Sequence, residues 1–136
     1  MNYIYIKPIQ YNNIMKNIQI FIPDLKTNVE FLIGTDKNDN FKIIDIVNEN
    51  DFWFHIKGFP SCHVVSNMYN DENQSLPTIS KKILRKIIVQ GACICKSHSK
   101  YKSDKNVEIV YTKIKNVTKT EIMGSVVLSE EKTIVI

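Results

Sequence analysis

An α+β single domain is the fold class this sequence predicts: a mixed, mostly antiparallel β-sheet packed by one long amphipathic helix and one short helix. Three observations carry that expectation. The 136 residues, 43% hydrophobic and 24% charged with only four Gly and four Pro, suffice for one buried core and exclude a disordered or collagen-like chain. Short runs rich in Ile, Val, Tyr and Phe recur between turn residues, as strands do. One stretch, Thr78 to His98, instead repeats apolar residues at three- and four-residue steps, the period of a helix with one buried face.

The elements follow in order. Tyr3 to Ile9, Ile18 to Pro23 and Val29 to Ile33 read as strands, separated by Asn12-Asn13, Pro23-Asp24 and Gly34. From Asp36 onward Phe41, Ile43, Ile44 and Val47 are spaced for one face of a short helix, with a strand over 41–47 as the alternative. Asp51 to Gly58 is a strand whose one face carries Phe52, Phe54 and Ile56 and whose other face carries Trp53, His55 and Lys57. Gly58 to Ser61 is turn material, Cys62 to Ser66 the returning strand, and Asn67 to Gln74 a polar loop. Thr78 or Ser80 caps the long helix, whose apolar stripe runs from Ile79 through Ile83, Ile87, Gly91 and Ile94. Ser99 to Asn106 is a lysine-rich loop, Val107 to Thr112 a strand, and Gly124–Leu128 with Thr133–Ile136 a closing hairpin.

The net charge of +4 conceals a segregation. Between Lys81 and Lys119 eleven basic side chains stand against only Asp104 and Glu108, a local +9, while the rest of the chain nets −5. Such a block is the electrostatic footprint of a polyanionic partner, or else a solvated helix face. Cys62, Cys93 and Cys95 show no disulfide-framework spacing, as expected of reduced thiols. No signal-peptide pattern opens the chain and no apolar run nears the ~18 residues of a membrane span, so a cytoplasmic protein is expected, in the host cytoplasm for a viral chain.

The stretch from Asp51 to Val65 concentrates the chemistry: Asp51, Trp53, His55, a turn with small residues, then His63-Val64. This pattern resembles the signature of the NFACT-R domain family. Upstream, Gly34 and the charged turn Thr35 to Asn40 fit the family's order. So do the amphipathic helix, Asn106 to Thr112 and Gly124-Ser125-Val126 downstream. The resemblance spans roughly residues 29 to 136, with the strands of 1–28 ahead of it. It implies an RNA-binding module acting on transfer RNA or ribosomal RNA in ribosome quality control, without a cofactor. Ribosome-associated proteins are further partners it suggests, and phosphate contacts leave DNA open.

The candidate nucleic-acid contacts are Trp53 as a base-stacking surface, His55 and His63 as ring and hydrogen-bond groups, and Lys57 as a phosphate contact. Lys82, Arg85 and Lys86 on the helix and Lys100, Lys102 and Lys105 in the loop complete the set. The competing reading makes Trp53 a core residue and His55 a buried, hydrogen-bonded one. Register decides whether His55 and His63 meet. A four-residue turn pairs Lys57 with Cys62 and sends the two rings to opposite faces, whereas one bulged residue puts His63 beside Trp53 and His55. Only the second register allows an acid/base cluster of His55, His63 and Asp51, and no third ligand at metal spacing accompanies it.

Overall fold

The computed structural model describes residues 16–69 and 79–136. The expected strand at Tyr3–Ile9, the later part of the polar loop and the Thr78 cap fall outside that range. Among the described residues the order is β1 (Lys16–Ile22), β2 (Thr27–Ile33), α1 (Lys37–Asp45), β3 (Phe52–Ile56), β4 (Val64–Ser66), α2 (Lys81–Ser97), β5 (Glu108–Lys113), β6 (Val117–Lys119), β7 (Val126–Leu128) and β8 (Lys132–Val135). Six strands make one sheet in the order β1-β2-β4-β3-β5-β8, and β6 and β7 make a second, smaller one. Every pairing in both is antiparallel. The architecture is the α+β fold expected, with two helices on a six-stranded sheet.

Local chemistry sets the helix starts. Asp36 sits in extended backbone and its carboxylate accepts from the Asp39 N–H, capping α1; Ser80 does the same for the Ile83 N–H at α2. The short-helix alternative for residues 41–47 is thus the one adopted. Along α2 the buried residues are Ile87, Ile88, Gly91, Ala92, Ile94 and Cys95, one stripe of the helix.

That stripe lies on the sheet face formed by Phe31, Ile33, Phe54, Ile56, Val64, Ile109 and Tyr111. The fit is closest at Gly91, where a Cβ would collide with the ring of Phe54, so only glycine lets the helix sit this near the strand. Phe54 is fully buried and tilts against Phe31 at 6.5 Å and Phe52 at 6.4 Å. Burying a ring of this size contributes roughly 3 kcal/mol.

The opposite face is covered too. Leu32, Trp53, Val65 and Val110 point there and pack with Ile43 and Ile44 of α1, and with Val117, Val126 and Leu128 of the small sheet. The result is three layers: α2, the main sheet, then α1 with β6 and β7. The expected closing hairpin does not form. Val126–Leu128 pairs with Val117–Lys119, while Lys132–Val135 crosses to the main sheet and pairs with β5. The split follows from burial: Val126 and Leu128 pack on the second core, whereas Ile134 enters the first.

Candidate nucleic-acid interface

The β3–β4 connection selects the register that brings the two histidines together. Trp53 pairs with Val65 and Phe54 with Val64, so the extension of the ladder sets His55 across from His63. Gly58 turns the chain with φ +77°, and Ser61 Oγ accepts from the Ile56 N–H at 3.1 Å, supplying a bond that a strand partner would otherwise make. His63 is then held from both sides: its N–H donates to Asn40 Oδ1 (3.1 Å) and its carbonyl accepts from the Gly34 N–H (2.9 Å).

Trp53, His55 and His63 form one aromatic cluster. The Trp53 and His55 rings are parallel with centroids 5.6 Å apart, and His63 stands edge-on to both, at 5.1 and 5.2 Å. Two of its three rings are interior, while His55 keeps partial exposure. Trp53 and His63 are each 3% exposed, and α1 and the small sheet lie over this side of the sheet. Trp53 therefore offers no open ring for a base, which corrects the exposed-face expectation. Parity placed the indole correctly; the covering layer removes it from solvent. Burial pushes the His55 pKa below its ordinary value against the pull of its Nδ1 contact to the Ile56 carbonyl (2.6 Å). Burial, with His55 alongside, holds His63 down to about 3. His63 is thus a neutral packing ring at physiological pH, and its Nδ1, like Trp53 Nε1, is buried without a hydrogen-bond partner.

Asp51 does not join them. Its fully buried carboxylate accepts from Ser66 Oγ (3.0 Å), the Met68 N–H (2.8 Å) and the Asn48 N–H (3.1 Å). Ser66 Oγ in turn accepts from the Phe52 N–H at 2.9 Å. Asp51 is a brace tying the start of β3 to the end of β4, not an acid/base partner of His55. Desolvation pushes its pKa up, opposed by those hydrogen bonds. Among the described residues no group of three His, Cys, Asp or Glu could hold a metal ion. Cys62 and Cys95 meet: the hydrogen bond between their thiols pulls the Cys62 pKa down and pushes that of the buried Cys95 up.

The cations occupy three places. Lys82 and Lys86 lie on one flank of α2, and Lys86 is paired with Asp24 of the β1–β2 turn at 3.0 Å. Arg85, about 100° round the helix from Lys86 and about 60° from Lys82, lines a groove together with Lys81. Of the expected triplet Lys82, Arg85 and Lys86, Arg85 borders this groove and Lys86 is held by Asp24. Lys100, Lys102 and Lys105 are exposed in the loop after α2, which is anchored by Tyr101 packing on Phe59 at 5.2 Å. Lys57 is exposed nearby in sequence to that turn, with Glu108 at 3.7 Å. The groove itself also takes Lys113, Lys115 and Lys132, none of them among the sequence candidates. The i, i+4 spacing of Lys81 and Arg85 and the alternation of Lys113 and Lys115 were the signals available.

Two helices and an antiparallel sheet with exposed cations along one helix and its loop make this an α+β domain with a cationic surface. The sequence profile of the NFACT protein RNA-binding domain matches residues 18–130, and the chain belongs to that family. It is accordingly an RNA-binding module. Among solved structures, the C-terminal part of the fibronectin/fibrinogen-binding protein of Streptococcus suis shares the fold, with a TM-score of 0.68 at 20% identity. That alignment covers 89% of this chain and 45% of the other, so the chain spans less than half the length of that relative. No curated protein matches the sequence. No described helix is long and apolar enough to cross a membrane.

Proposed function

We propose that this module engages structured RNA of the translation apparatus, transfer RNA or ribosomal RNA, in a ribosome quality-control setting in the cytoplasm. The observation that carries the reading is the concentration of exposed cations between residues 81 and 119 on a domain of the NFACT RNA-binding family. Arg85 and the Lys100–Lys105 loop lie roughly 20 Å apart along α2, a span of several phosphates, so one strand can touch both. Affinity then comes from phosphates and RNA shape, because the Trp53 ring is not available for stacking.

Fluorescence anisotropy with transfer RNA, single-stranded RNA and duplex DNA across a salt series tests this. Each phosphate contact contributes about 0.7–0.9 to the slope of log K against log salt. Reversal of Lys100, Lys102 and Lys105 to Glu is expected to flatten that slope by about 2 and to weaken structured RNA most. Equal affinity for all three nucleic acids, or an unchanged slope in the reversal variant, sinks the reading.

A further inference from the structure

Between the first half of α2, the end of β5 and the β7–β8 turn lies a groove of about 700 Å³. That volume is within the range of small-molecule sites, roughly 300–1,000 Å³. Its floor is apolar, made by Phe52, Leu84, Ile88 and Tyr111. Its rim carries five cations, Lys81, Arg85, Lys113, Lys115 and Lys132. Three lysines elsewhere on the described surface are paired with acids: Lys57 with Glu108, Lys86 with Asp24 and Lys119 with Asp45. The five rim cations have no ion-pair partner among the described residues, although Glu130 and Glu131 line the same groove. Unneutralised cations around an apolar floor suit a ligand that is an anion at one end and a flat, weakly polar body at the other.

We propose that this groove is a nucleotide subsite that takes one unpaired ribonucleotide of the bound RNA. The phosphate lies against the Arg85 guanidinium, whose fork matches phosphate oxygens, with the lysines beside it. The base rests on the apolar floor. The carboxylates of Glu130 and Glu131 repel phosphate but accept hydrogen bonds from ribose hydroxyls, which fixes the orientation and favours RNA over DNA. Asn116 is preset at the wall, its amide donating to Thr112 Oγ1 at 3.0 Å while its backbone carbonyl accepts from the Ser129 N–H at 3.0 Å. The inference rests on the RNA-binding reading and adds to it the place where a single nucleotide is read.

Calorimetric titration with 5′-AMP, adenosine and inorganic phosphate, alongside anisotropy with a single-stranded RNA pentamer and blunt RNA duplex, tests it on the full chain. AMP is expected to bind more tightly than adenosine or phosphate, and the pentamer to displace it. Arg85→Ala should weaken AMP and the pentamer about tenfold and leave the duplex nearly unchanged, and Glu131→Gln should narrow the preference for the ribo-pentamer over its deoxy counterpart. Lys102→Ala, outside the groove, should not move AMP at all. Phosphate binding as well as AMP, or Arg85→Ala without effect while RNA still binds with its salt slope, overturns the subsite and leaves the RNA reading standing. AMP binding that no RNA displaces overturns the assignment of the nucleotide to an RNA strand. Absence of binding by every probe overturns both readings.

Discussion

Acidification from pH 7 to pH 5 should destabilise this domain by about 2 kcal/mol through His63 alone. The ring is 3% exposed and its pKa is held down to about 3 by burial and by His55, against an ordinary value of 6.5. Because the folded value is depressed, the unfolded chain takes up the proton first. The stability that His63 contributes is therefore complete above pH 6.5 and is lost as pH falls from there toward 3. At pH 5 the unfolded imidazole is nearly all protonated and the folded one is not, a difference of about 2 kcal/mol. His55, shifted in the same direction, adds to the loss. Asp51 acts oppositely: its folded pKa is raised, so its contribution is present below pH 3.8 and lost as pH rises through the folded value, a partial offset on the acid side. Urea titrations at the two pH values read this as a midpoint lower by about 1 M at pH 5. In His63→Phe, which keeps an edge-on ring against Trp53 and removes the buried Nδ1, the shift should fall to the share of His55. Equal midpoints at pH 7 and 5 in the wild type would refute the argument. So would a full-sized shift in His63→Phe. Equal midpoints would show the cluster open to water and return Trp53 to the list of base contacts, whereas a full-sized shift in the variant would assign the effect to another buried group.

Asp51→Ala leaves two backbone N–H groups and the Ser66 hydroxyl without their acceptor; it should cost about 3 kcal/mol, and Asp51→Asn distinctly less, measured by thermal denaturation. Gly91→Ala gains about 1 kcal/mol of helix propensity but drives a methyl into the rigid, enclosed Phe54 ring, so a net loss of about 2 kcal/mol is expected; an unchanged or raised urea midpoint would contradict the packing. Timed thiol labelling should modify exposed Cys93 first, half-buried Cys62 next and buried Cys95 only on unfolding.

Strand parity was legible at β3: Phe52, Phe54 and Ile56 share one face, Trp53 and His55 the other. What parity does not contain is whether a second layer covers a face. Here that layer is α1 together with two three-residue strands, too short to announce themselves in sequence, that meet only through the fold. The hairpin register was legible only as a pair of alternatives, because side-chain contacts that periodicity does not encode decide it: Ser61 back to Ile56 within the turn, and Asn40 over to His63 from a distant helix. The basic block was plain in the composition, yet its partition was not. Asp24, 62 residues upstream, occupies Lys86, while Lys132, far from the helix in sequence, joins Arg85.

The strand order carries a consequence for synthesis. All of β1 to β4 and α1 lie within residues 16–66, but β3 gains its outer neighbour only with β5, and the face of Phe31, Phe54 and Val64 gains its cover only with α2. At translation rates of about 5–20 residues per second, the stretch from the end of β4 to the end of β5 takes roughly 2–9 s to emerge. For that interval a nascent half-sheet presents both a bare edge and an oily face to its surroundings, which makes early synthesis, rather than the finished domain, the stage most exposed to aggregation.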